Sequence, residues 1–271
     1  MSYRSIILAD NPYLYYRLGS ASTLVDETGT FNGVYGGPPP IVSGALPNDP
    51  DTAREILNAG QKYGRYTPDP ANGKPYMTAL GQATAVCIEA WIRSVLPDAS
   101  VTERFFLCGT AGVSYWNKSV FAMLDTSKWA GFSKNAIMVA RMDAAGYNVA
   151  LQNTTALANL HDQQWHHVVF VVDRVTPANS RIYFDATSLS VAPISVTNPL
   201  PSGEDFTDQS FDVGRMGILW YGGQWDVDEL AVYINSNVLT AAKVAAHYNA
   251  RYAAPGGSRE MPRGIGRGIW P

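Results

Sequence analysis

The segment Trp165–Asp173, WHHVVFVVD, is apolar on both of the faces a β-strand presents. His166, Val168, Phe170 and Val172 alternate with His167, Val169 and Val171, so neither side suits water. Such a strand needs cover above and below, which the middle of a sheet-on-sheet sandwich provides. Val86–Arg93 alternates cleanly, with Val86, Ile88, Ala90 and Ile92 on one face and Cys87, Glu89, Trp91 and Arg93 on the other. Arg181–Asp185 and Val227–Ile234 read as shorter strands between turn formers. Together they predict an all-β, antiparallel two-sheet β-sandwich whose core includes Val86, Ile88, Trp165, Val168, Phe170, Val172, Ile182, Phe184, Leu230 and Val232.

Composition supports this class. The 271 residues include 15 Tyr, 9 Phe and 7 Trp beside 24 Gly and 17 Pro, a strand-and-turn inventory. No apolar run approaches the roughly 18 residues of a spanning helix, so membrane insertion is not expected. Basic and acidic side chains nearly balance, 20 against 23, which argues against a nucleic-acid-binding face. The balance hides an asymmetry: residues 1–250 carry a net −6, and the chain from Arg251 onward carries +3. The N-terminus lacks the uninterrupted apolar stretch of about 7–15 residues that a secretory signal needs. Synthesis in the cytoplasm, without general export, is therefore expected. In that setting Cys87 and Cys108 are expected to be buried thiols, with pairing left open.

One segment reads as a helix. Thr240 is a suitable N-cap, and Val244, Tyr248 and Tyr252 follow at four-residue spacing, predicting a helix over 241–252 as the only long one. Pro255–Ser258 breaks it, and the Gly- and Pro-rich remainder cannot fold alone. The expected organisation is a sandwich domain over 1–254 and an extended basic tail over 255–271.

Five blocks, taken in order, carry a resemblance. ADNPYLYYRLG (Ala9–Gly19) with DETGTFNGVYGG (Asp26–Gly37) opens the chain, and CIEAWIR (Cys87–Arg93) follows. Next come WHHVVFVVD (Trp165–Asp173) and RIYFDA (Arg181–Ala186), the latter with Ala186 where the pattern usually has Gly. DVDELAVYINSNVLTAAKVAAHY (Asp226–Tyr248) closes the series. In this order the blocks resemble laminin-G-like, concanavalin A-type jelly-roll domains. The resemblance implies a jelly roll closed by a C-terminal helix, with a structural role for the His166–His167 pair. It also implies a lectin-like display domain of a tailed-bacteriophage virion, most simply a minor tail protein. A capsid decoration protein and a stand-alone carbohydrate-binding module are the alternatives. In a virion the expected partners are other particle proteins, with oligomerisation inside the particle, and host-surface glycans.

Glucanases of this fold carry Glu-x-Asp-x-(x)-Glu, and no Glu here is followed two residues later by Asp. Asp226 and Asp228 share a strand face beside Glu229, but a strand-end carboxylate bonded to the opening turn is the plainer reading, and no catalytic residue is assigned. The resemblance raises Asp26 and Asp228 as ligands of a structural calcium, against ordinary hydrogen-bonded carboxylates; no other cofactor is expected. Tyr115, Trp116, Trp129, Trp220 and Tyr221 are candidates for stacking on sugars, although core and interface burial are the commoner fates of such rings. In the tail, Arg259, Arg263 and Arg267 with Ile265, Ile269 and Trp270 form a candidate docking peptide.

Overall fold

The computed structural model describes residues 2–19, 22–57, 62–96, 105–111, 119–124, 135–143, 146–195, 206, 209–215 and 224–252. Strands are numbered along the chain. The first sheet runs β14 (Thr187–Ser188), β13 (Arg181–Phe184), β12 (His166–Asp173), β7 (Ala85–Ser94), β17 (Gln224–Ile234), β5 (Thr52–Leu57) and β4 (Ile41–Ser43). β1 (Leu14–Tyr16) also pairs with β17. The second runs β15 (Val191–Ser195), β11 (Gly146–Asn153), β10 (Ile137–Asp143), β9 (Ser119–Leu124) and β8 (Phe105–Ala111). It continues through β16 (Ser210–Val213), β6 (Gly64–Tyr66), β3 (Gly33–Tyr35) and β2 (Thr23–Leu24). Every pairing among the described strands is antiparallel.

The alternation of β7 and β12 places their side chains as expected. Val86, Ile88, Val168, Phe170, Ile182 and Phe184 face the second sheet in the main core, with Leu230 and Val232 of β17. Cys87, Trp91, Val169 and Tyr233 face outward into a second apolar layer. Trp165 departs from the prediction. It precedes β12 and shares the parity of His167, so it sits half-buried on the outer layer, with the Arg93 guanidinium 4.8 Å above its ring.

Two helices cover that outer layer. α3 (Ala241–Ala250) stops two residues short of the predicted end; Thr240 caps it, accepting from the Lys243 N–H at 3.4 Å, and Tyr252 lies beyond it, exposed. α1 (Tyr3–Ala9) was not foreseen: Ser2 caps it, and Tyr3 and Ile7, one turn apart, are buried against the sheet. The Trp91 indole donates to the Tyr3 hydroxyl at 2.9 Å, and Tyr248 stacks on Trp91 with centroids 5.9 Å apart. A third helix, α2 (Thr78–Gln82), precedes β7.

Cys87 lies in the outer layer and Cys108 in the main core, both as buried free thiols. Burial raises the pKa of each. Asp185 and Ala186, both at positive φ (48° and 62°), form the two-residue turn between β13 and β14. This is where the family pattern carries Gly, because a Cβ strains the left-handed region.

Candidate functional site

The acidic cluster of β17 is consumed by the fold. Asp226 lies opposite Arg93 across the sheet, and its Oδ2 accepts from the guanidinium at 2.7 Å. Between Asp228 and Ala231 the pairing with β7 shifts register, with Glu229 at φ 51°. This bulge adds one residue, so that Trp225 and Val227 before it and Leu230 and Val232 after it all face the core. Asp228 and Glu229 are both buried. Asp228 accepts from the backbone N–H groups of Ala45 at 2.8 Å and Glu229 at 3.0 Å. Glu229 accepts from the Tyr15 hydroxyl and, at 3.1 Å, from Arg17, which also pairs with Asp49 and Asp51. Burial pushes Glu229 up to about 8, against the pull of Arg17; burial and the Glu229 charge together raise Asp228. Asp226 is buried with them.

Asp26 and Asp228 do not fit the calcium that the resemblance implies. Asp26 Oδ1 accepts from the N–H groups of Tyr15 (2.9 Å) and Thr28 (3.1 Å). Its Oδ2 accepts from the Thr28 hydroxyl (2.6 Å) and from the N–H groups of Thr30 (3.2 Å) and Phe31 (2.8 Å). Five donors point their hydrogens at the oxygens a cation would need, and both Asp228 oxygens are likewise occupied by N–H groups. These bonds tie Asp26 into the opening turn. Among the described residues no group of three or more His, Cys, Asp or Glu is placed to hold a metal.

The adjacent histidines serve opposite faces. His166 sits between Asp185 (2.7 Å) and Asp162 (3.0 Å), holding the β13–β14 hairpin to the start of β12. His167 points outward to Glu89, 2.6 Å away. Glu89 also accepts from the Tyr233 hydroxyl at 2.8 Å and lies 3.0 Å from Nδ1 of His247, whose Nε2 reaches Asp10 at 2.9 Å. One buried carboxylate thus joins β7, β12, β17, α3 and the end of α1. Although burial opposes it, the charge and hydrogen bonds of His247 and His167 hold the Glu89 pKa below the usual carboxylate range. The sequence reading placed Glu89 on this face without finding its partners.

A concave feature lies at the edge of the sandwich. β13 and β15 lie at the same margin of their two sheets, and between them opens a cleft of about 380 Å³. Pro177 and Ala178 form one wall, Val191 and Pro193 the other, with Leu151 within and Arg181 at the rim. The first wall is rigid: Asp173 accepts from the N–H groups of Val175 (2.9 Å) and Thr176 (2.8 Å), and Ser180 Oγ accepts from the Asp173 N–H at 2.9 Å. The second is set by the pairing of Val191 with Asn153 and Pro193 with Leu151. Sequence reasoning missed the cleft because its walls come from separate strands whose closeness no local motif encodes. The ring candidates Tyr115, Trp116, Trp129, Trp220 and Tyr221 lie outside the described residues, as do Arg259, Arg263, Ile265, Arg267, Ile269 and Trp270.

Solved structures with this arrangement exist. The binding domain of Paraclostridial Mosquitocidal Protein 1 superposes with a TM-score of 0.62 at 13% identity, covering 90% of this chain and 53% of that one. The fold is a concanavalin A-like jelly roll. The binding domain of botulinum neurotoxin DC in complex with rat synaptotagmin II matches with a TM-score of 0.59 at 10% identity, over 90% of this chain and 52% of that one. The same binding domain in complex with SialylT matches with a TM-score of 0.57 at 10% identity, over the same 90% and 52%. The jelly roll thus spans about half the length of the structures it matches, and at these identities the likeness is one of fold. No protein-family model matches the chain, and no curated protein sequence does.

Proposed function

We propose that this jelly roll is a non-catalytic recognition module that holds a glycan end group in the cleft between β13 and β15, displayed on a bacteriophage particle. The observation that carries the recognition reading is the cleft: it is open, rigid-walled and largely apolar, whereas the acids of β17 are locked into buried or paired contacts. A ligand site of this kind fixes a partner without reacting with it. The matched binding domains, one in complex with rat synaptotagmin II and one with SialylT, support a recognition role for the fold. The phage setting rests on the block resemblance and on the charge contrast between body and tail.

Catalysis is tested directly. A retaining glycosidase needs an acid and a nucleophile about 5–5.5 Å apart on an open face. Incubating the intact protein with laminarin and other β-glucans is expected to release no reducing ends. Release that disappears in Asp228→Asn would overturn the reading, and so would a glycan array on which the intact chain binds nothing.

The particle setting has its own test. Truncation after Ala254 is expected to leave the melting temperature nearly unchanged and to abolish incorporation into particles. Normal incorporation of the truncated chain would remove the docking role of Arg259, Arg263, Ile265, Arg267, Ile269 and Trp270.

A further inference from the structure

Resting on the recognition reading, we infer that the edge cleft selects sugars bearing a carboxylate and that Arg181 is its anchoring residue. Arg181 is exposed at the cleft rim, where its Nη1 donates to the backbone carbonyls of Ser180 at 2.6 Å and Ala178. Those two bonds hold the guanidinium in place from one side. Its Nε and Nη2 make no hydrogen bond to the described residues, and no carboxylate among them pairs with it. That free edge offers two parallel N–H donors, the geometry that takes a carboxylate in a bidentate pair.

Other described arginines on sheet strands are engaged: Arg93 with Asp226, Arg65 with Asp212, and Arg54 with the carbonyls of Leu18 and Pro39. At Arg181 an open apolar cleft thus meets a pre-oriented cation that has no counter-charge among the described residues. Below it, Pro177, Ala178, Val191 and Pro193 present aliphatic surface. A pyranose lays its C–H face on such walls and turns its hydroxyls to water, which suits a cleft open to solvent. A long alkyl carboxylate would leave much of its chain wet. An added peptide strand is opposed by Pro193, which has no N–H to offer at the free edge of β15. The volume, about 380 Å³, is at the small end for ligand sites, matching one terminal sugar or two.

The test is calorimetric titration of the intact chain with 3′-sialyllactose, a glucuronate-terminated disaccharide, neutral lactose and octanoate. The acidic sugars are expected to bind and lactose and octanoate not to; which of the two acids binds tighter identifies the source of the carboxylate. Arg181→Gln, at an exposed position, is expected to weaken acid-sugar binding by about tenfold to a hundredfold, with Arg181→Lys recovering part of it. Ala178→Trp, which fills the cleft from its exposed wall, is expected to abolish binding. Failure of both acidic sugars, preference for octanoate, or an Arg181→Gln variant that binds as the parent does would each overturn the inference. Equal binding of lactose and the acids would overturn it too, while leaving the recognition module itself standing.

Discussion

Replacing Glu89 with alanine is expected to lower the unfolding free energy by about 3–5 kcal/mol, the usual penalty for breaking a fully buried charge cluster. The carboxylate is completely buried, and its loss leaves His167 Nε2, His247 Nδ1 and the Tyr233 hydroxyl without the acceptor they share, while His247 keeps Asp10 on Nε2. For a domain of this size that corresponds to a drop in melting temperature of about 10 °C. Glu89→Gln keeps an acceptor but removes the charge, so an intermediate loss is expected. The readout that separates this network from general core damage is amide exchange. α1 and α3 meet the sheet through Asp10, His247 and Glu89, so their protection should fall more than that of β8–β10. A loss below about 1 kcal/mol, the scale of an exposed pair, would contradict the account.

Stability is expected to be greatest on the acid side of neutrality and to decline as the pH rises to 8.5. Glu229 is raised to about 8 when folded, so the folded state holds its proton through a range in which the unfolded chain, near the usual carboxylate value, has released it. Across that interval the unfolded state binds fewer protons, and each pH unit removes up to about 1.4 kcal/mol for one such group. Asp228, also raised by burial, acts in the same direction. His247 does too. Burial opposes its protonation, but Glu89 and Asp10 outweigh it and raise its pKa, so its contribution is complete below the unfolded value and lost as the pH passes the folded one. Glu89 is depressed, so its contribution persists into acid and limits the decline there. Chemical denaturation between pH 5 and 8.5 measures the slope. Glu229→Gln should flatten it and should be more stable than the parent at pH 8.5; an unchanged slope would show that Glu229 is ionised in the fold.

Much of the sandwich was legible because β12 is nearly all apolar on both faces and β7 alternates cleanly, patterns that a covered strand in a sandwich satisfies. Local chemistry misled where tertiary contacts decide. Ile6–Ala9 is only a four-residue apolar patch in the sequence, yet the Ser2 cap and the burial of Tyr3 and Ile7 on one side make Tyr3–Ala9 a helix over Trp91. Val227–Ile234 reads as continuous strand. Nothing in it announces the bulge that buries Glu229, since a positive φ at Glu carries no composition signal. Only the family resemblance raises Asp26 as a metal ligand, since no dense Asp/Asn loop surrounds it in the sequence. Five N–H and O–H donors from residues 15 to 31 assign it to the turn instead. His247 and Glu89 lie 158 positions apart, and Leu151, Arg181 and Pro193 meet only because two sheet edges fall on one side.

The claim that the β13–β15 margin is a recognition site is tested most directly by a crystal structure of the intact chain with an acidic oligosaccharide to which it binds. The account predicts unaltered sugar between Pro177 and Pro193 with its carboxylate on Nε and Nη2 of Arg181. Sugar seated elsewhere on the sandwich with the cleft empty, or a cleaved product in the cleft, would contradict it.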